Sequence, residues 1–238
     1  MNAIATMTTA TAAATPAAAT TAATTMATAV AAGFFEQVRQ QTAAGRACVE
    51  QAPIVQAALA GTLSRERYLA FLTQAWHHVR ETVPLLMAVG ARLPDHHREL
   101  RNQVLHYLEE ENGHDDWILA DIAAAGGDAA AVPATLPNPE TDAMVACAWD
   151  TVLRRNPVGF FGMVFVLEGT SAALALKAAA TIRESLGLPA GAFTYLTSHG
   201  HLDKEHVQHL AGILDSLDRP EDRAAVLRCA RTMYWLYG

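Results

Sequence analysis

Residues 195–217, YLTSHGHLDKEHVQHLAGILDSL, decide both the fold and the chemistry of this chain. At about 100° per residue, Tyr195, Leu196, Leu202, Val207, Leu210, Ile213, Leu214 and Leu217 gather on one side, the pattern of an amphipathic helix. His199, Asp203 and His206 fall within about 40° of the middle of that apolar stripe, so all three side chains are expected to point into the core. Burying two imidazoles and a carboxylate costs several kcal/mol unless they pair or bind a cation, and one divalent metal satisfies all three. His201, Glu205 and His209 show similar spacing but lie on the opposite, polar side, where a solvated face is expected.

A second polar cluster, Glu109-Glu110-Glu111-Asn112-Gly113-His114, reads at first as a solvated charge run, and for Glu109 and Glu110 that reading stands. If the helix continues through Gly113, Glu111 falls among Leu100, Val104, Tyr107, Leu108, Ile118, Leu119 and Ile122 and faces the core, with His114 beside it. Glu111-x-x-His114 and Asp203-x-x-His206 are then one device used twice, an acid and an imidazole one turn apart, and two such devices suit two metals. Glu168 is the only acid in the apolar stretch Val158–Ala180; its burial calls for a cation, and it is the natural bridging carboxylate. His77 and Glu81 lie opposite the stripe formed by Tyr68, Leu72, Val79, Val83, Leu86 and Leu93, while His78 lies at its edge and could line a cavity. His96, His97 and His106 read as surface residues.

Around these motifs the chain is helix after helix, with no alternating strand-like run, and the fold class is all-α. Helices are expected over about 32–43, after Pro53, from the cap Ser64 to about Arg92 with a kink at Pro84, and from Asp95 to Ala125, closed by Gly126-Gly127. Pro133, Pro137 and Pro139 mark an extended connection. Further helices follow over about 139–155, from Asn156-Pro157 to Gly187, over 195–217 and over 220–237. Residues 1–31 are almost only Ala, Thr and Met and read as a disordered tail, leaving 32–238 as the helical domain.

The chain has 238 residues, of which 51% are hydrophobic, enough to bury a sizeable core in one domain. Its formal net charge of −7 and lack of clustered Lys and Arg argue against a nucleic-acid partner. Cys48, Cys147 and Cys229 are scattered and odd in number, which fits a reducing cytoplasm. The stretch Val158–Ala180 is long enough to span a bilayer, but a carboxylate near its centre would be costly in lipid, so a buried central helix is expected and no membrane partner.

Glu111-x-x-His114, the lone Glu168 in an apolar helix, and His199-x3-Asp203-x2-His206, in that order, resemble the haem-oxygenase-like di-iron oxidases. These are often labelled iron-containing redox enzymes and are related in fold to thiaminase II. The resemblance spans Ala75 to Leu217 and implies a bundle of about seven or more helices. It also implies two ferrous ions, with manganese in place of one as an alternative, and oxygen-dependent oxidation of a small organic substrate. Glu168 would change its binding mode as the metal charge changes, and Phe160, Phe161, Phe165 and Tyr195 would shape the pocket. Members of the family differ widely in reaction, and no motif selects among decarboxylation, N-oxygenation and carbon–carbon cleavage; a homodimer is compatible with the family. Three alternatives stand beside this reading: a metal-free hydrolase of the thiaminase II type using Cys147, a haem-binding module, and a non-catalytic helical protein. The haem reading needs an axial histidine near the start of the bundle, and none is found there.

Overall fold

Ser64 begins the first long helix as its composition predicts, its hydroxyl accepting from the Arg67 backbone N–H at 3.3 Å. The computed structural model describes residues 32–238; residues 1–31, read above as a tail, lie outside the described residues. The helices are α1 (Phe34–Gln41), α2 (Ala43–Glu50), α3 (Pro53–Ala60), α4 (Arg65–Val79), α5 (Thr82–Arg92) and α6 (Arg98–Glu111). They continue with α7 (His114–Ala124), α8 (Pro139–Arg154), α9 (Phe161–Leu186), α10 (Thr194–Ser216) and α11 (Pro220–Tyr237). Among the described residues there is no β-strand, and the all-α class holds.

Two predicted rods are each divided. The helix expected from Ser64 to Arg92 breaks at Arg80-Glu81 rather than at Pro84. Pro84 then sits in the first turn of α5, where a missing N–H breaks no intrahelical hydrogen bond. The helix expected over Asp95–Ala125 starts with a short 3-10 turn and breaks again at Asn112-Gly113, where Gly113 takes a φ of +90°, a left-handed value suited to glycine. Helix α2 was not anticipated, because Gly45 and the short polar run around it conceal the helical period.

Helix α9 is the centre of the bundle, packed most extensively on α10 and also on α11 and α3. Its Pro157–Leu186 segment is the one stretch among the described residues long and apolar enough to cross a membrane, and 56% of its most apolar window is buried inside the bundle. Close approach to α10 depends on Gly200, where a Cβ would lie 2.7 Å from the Leu176 side chain. The start of α10 is pinned from α7: the fully buried Asp121 carboxylate accepts from the Thr194 and Tyr195 N–H groups, each at 2.8 Å.

The apolar interior is divided into two clusters. One gathers Leu85, Tyr107, Phe161, Val166, Leu210, Leu214 and Met233. The other gathers Tyr68, Leu72, Ile118, Ala175, Phe193 and Leu196. Six chain segments pass from one cluster to the other, and three of them carry the polar residues: Tyr107 to Ile118, Val166 to Ala175, and Leu196 to Leu210. Glu111 and His114 lie within the first of these three, Glu168 within the second, and His199, Asp203 and His206 within the third, so the polar residues occupy the seam between two dry cores.

Candidate metal centre

Each of the six residues singled out by sequence arrives at this seam from a helix held by its own packing. Glu111 closes α6 and His114 opens α7, and the turn at Gly113 leaves His114 Nδ1 3.1 Å from Glu111 Oε2. The His114 and His199 rings meet edge to face at 4.7 Å between centroids. Along α10, Asp203 Oδ1 lies 3.7 Å from His199 Nδ1 and 3.4 Å from His206 Nδ1. From α9, Glu168 Oε1 comes within 3.7 Å of the same His206 nitrogen.

Two groups of three have potential ligand atoms within 4.8 Å of one another: Glu111, His114 and His199, and Glu111, Glu168 and His206. Sequence reasoning gave the bridging place to Glu168. Glu111 belongs to both groups and Glu168 to one, with Asp203 between the two α10 histidines. Tyr107, one turn before Glu111, donates a long hydrogen bond of 3.5 Å to Glu168 Oε2.

Burial governs the electrostatics. Asp203 is 1% exposed, His114 3%, His206 5%, Glu168 7% and Glu111 9%. Burial, reinforced by the Asp203 and Glu111 charges, pushes the Glu168 carboxyl well above the ordinary carboxylate range. Asp203 is also raised by burial, but its contacts with His199 and His206 outweigh this and hold it below the usual value. His206 is raised by its contact with Asp203, against the opposing effect of burial. Burial and the neighbouring Glu168 charge keep the Tyr107 hydroxyl protonated far beyond its usual range.

The donor set fits a divalent cation on two grounds. His199 Nε2, Asp203 Oδ1 and both ring nitrogens of His206 are buried without hydrogen-bond partners, and a buried polar atom left unsatisfied costs about 1–3 kcal/mol. Imidazole and carboxylate ligands on facing helices are also the set that bundle proteins use for paired first-row metals.

Other sequence candidates fall elsewhere. His201 and Glu205 are exposed, and His209 rests half-buried against the His106 and Tyr107 rings, outside the cluster. His77, expected on an outer face, is instead buried, with Nε2 2.9 Å from Thr135 Oγ1, because the connection around residues 132–135 covers that face of α4. Glu81, assigned to the same outer face, accepts from Trp149 Nε1 at 3.0 Å. His97, read as a surface residue, is only part-exposed and lies 2.9 Å from Asp222 Oδ2.

A cavity of about 740 Å³ opens onto the cluster. Glu111, Glu168, His199 and Asp203 line it, with mostly apolar walls from α3, α4, α9 and α11. Of the four aromatic residues expected to shape it, Phe160 and Tyr195 line it, whereas Phe161 and Phe165 are buried in the core beside it. Tyr107, Met144, Met163 and Tyr237 also line it and were missed, since only assembly of the bundle turns them onto one space. The same cavity takes in His78, which sequence had placed at a stripe's edge. Cys147, the nucleophile a thiaminase-type reading would need, is not among its lining residues, and burial raises that thiol.

The sequence profile of iron-containing redox enzymes matches residues 69–238, and the chain belongs to that family. No curated protein matches it. Among solved structures, it is similar to a domain of unknown function with a haem-oxygenase-like fold from Shewanella denitrificans, at 21% identity over 84% of this chain and 87% of that one, with a TM-score of 0.75. A TenA homologue from Pseudomonas syringae pv. tomato is similar at 16% identity over 86% of this chain and 91% of its own, with a TM-score of 0.70. Haem oxygenase-1 from Synechocystis, solved with haem, is similar at 11% identity over 87% and 89% of the two chains, with a TM-score of 0.67. The fold is therefore haem-oxygenase-like. Helices α1 to α3, which open the described bundle, contain no histidine to serve as an axial haem ligand.

Proposed function

We propose that this chain is a non-haem oxidase that holds two iron ions on Glu111, His114, Glu168, His199, Asp203 and His206, and uses dioxygen to oxidise a small organic substrate. The observation that carries this reading is the set of buried, unpartnered donor atoms of His199, Asp203 and His206, gathered with three further ligand-type side chains at the seam of two apolar cores. Ferrous iron bound there would supply electrons to oxygen and act as a Lewis acid toward substrate.

The chain's own contribution is placement and exclusion. Glu111 belongs to both groups of ligand atoms, while Glu168, carrying a raised carboxyl beside the Tyr107 hydroxyl, can hold a proton until a cation displaces it. The cavity walls, from Leu86, Met163, Leu167, Leu174 and Leu196, exclude water and suit a substrate with an apolar body presented to the polar floor. Cys48, Cys147 and Cys229 are free thiols, in keeping with a cytoplasmic location.

The test is anaerobic titration of the metal-free protein with ferrous ion, followed by oxygen. Binding of two irons per chain, a rise in melting temperature and oxygen uptake on exposure to air are expected. Failure of ferrous ion to bind or to stabilise the fold would leave a non-catalytic helical protein.

A further inference from the structure

Glu110 neighbours a proposed ligand but makes different contacts. Its Oε2 lies 3.2 Å from His206 Nε2, and its Oε1 lies 3.4 Å from His106 Nε2, one turn back on α6. The opposite edge of the His206 ring carries Nδ1, which sits 3.4 Å from Asp203 Oδ1 and 3.7 Å from Glu168 Oε1 without a hydrogen-bond partner. His206 thus shows one nitrogen to the cluster and the other to a carboxylate on the solvent side.

We propose that Glu110 is a positioning residue for the metal centre: it accepts the Nε2–H of His206, fixes that tautomer, and leaves Nδ1 as the donor to a metal, while His106 holds Glu110 in place. This rests on the metal-binding reading above and adds an atom-level assignment to it. A histidine bound to metal through one nitrogen almost always gives its other N–H to a carboxylate, carbonyl or water, and that partner orients the ring and raises its basicity. At 3.2 Å the Glu110–His206 contact is close enough for a hydrogen bond but not aligned as one. The Glu110 side chain is 32% exposed, which leaves room for a small rotation that brings its carboxylate into line with Nε2 while the His106 contact is kept. Glu109, its exposed neighbour in the same acidic run, serves as the control.

The experiment titrates metal-free wild type, Glu110→Ala, Glu110→Gln and Glu109→Gln with cobaltous ion. It also records nitrogen-15 spectra of histidine-labelled protein loaded with zinc, which is diamagnetic. Wild type is expected to bind two ions and to show His206 with a metal-bound Nδ1 and a protonated Nε2. Removal of such an outer partner weakens binding by about 10–100-fold, so Glu110→Ala should fall in that range. Glu110→Gln, which keeps an acceptor oxygen but not the charge, should lie between Glu110→Ala and wild type, and Glu109→Gln should match wild type. If Glu110→Ala does not fold, Glu110→Gln and the wild-type nitrogen assignment carry the test. Binding of zinc through Nε2, or Glu110 variants with wild-type affinity and an unchanged His206 pattern, overturns the role of Glu110 alone. A wild-type protein that takes up neither cobalt nor zinc overturns the metal reading beneath it.

Discussion

Glu111 Oε2 and His114 Nδ1 lie 3.1 Å apart although they belong to different helices, joined by a left-handed turn at Gly113 with φ +90°. The acid-x-x-His spacing was read as one face of a continuous helix, and the pair forms without one. A Cβ at Gly113 would meet nothing within 4 Å, so any loss on substitution comes from the backbone alone. Gly113→Ala should destabilise the metal-free protein by about 1–2 kcal/mol in urea titration, and Gly113→Asn by less, because asparagine tolerates the left-handed region. Equal stability of wild type and Gly113→Ala would show that the turn is not held in that conformation.

Asp121 reaches across from α7 to accept from the first two N–H groups of α10, the helix bearing His199, Asp203 and His206. Asp121→Ala should cost about 1–2 kcal/mol and raise amide exchange at Thr194 to Thr197 before the rest of α10. Unchanged exchange there would mean that α10 is anchored by its contact with α9.

His78 gives a pH dependence with a definite sign. Burial pushes its imidazole down to about 4, so it stays neutral in the folded chain while the unfolded chain takes up a proton near 6.5. Its contribution to stability is complete above pH 6.5 and is lost as pH falls toward 4, reaching at most about 3 kcal/mol. The slope of stability against pH between 6.5 and 4.5 should be shallower in His78→Gln than in wild type. Identical slopes would mean that His78 protonates freely in the fold.

Metal uptake should release protons. Burial, with the Asp203 and Glu111 charges, raises Glu168, and contact with Asp203 raises His206, so both retain protons in the metal-free protein that a cation must displace. Affinity for manganous ion should therefore rise with pH, by up to about tenfold per pH unit for each proton displaced. Calorimetry in buffers of different ionisation enthalpy reads that release directly; heats independent of buffer would contradict it.

Much of this arrangement was legible because it depends on periodicities within one segment. The stripe of α10 places Asp203 and His206 inward, and Ser64 caps the helix it was expected to cap. Glu168 stands out because no other acid interrupts the apolar stretch Val158–Ala180. What escaped depends on contacts between segments. His77 is buried by a connection far along the chain, and Glu110 faces His206 only because α10 lies against the end of α6. The sharing of Glu111 between both ligand groups follows from the break at Gly113, which an unbroken helical wheel cannot represent. Leu202 shows the limit of the wheel within α10 itself: counted in the buried stripe, it is 36% exposed.

The central claim is that iron sits at the seam between the two apolar cores, and anomalous diffraction at the iron edge from crystals loaded anaerobically with ferrous ion tests it most directly. Two peaks are predicted, one among Glu111, His114 and His199 and one among Glu111, Glu168 and His206. No peak at these side chains, or iron bound only at surface histidines such as His96 and His201, would contradict it.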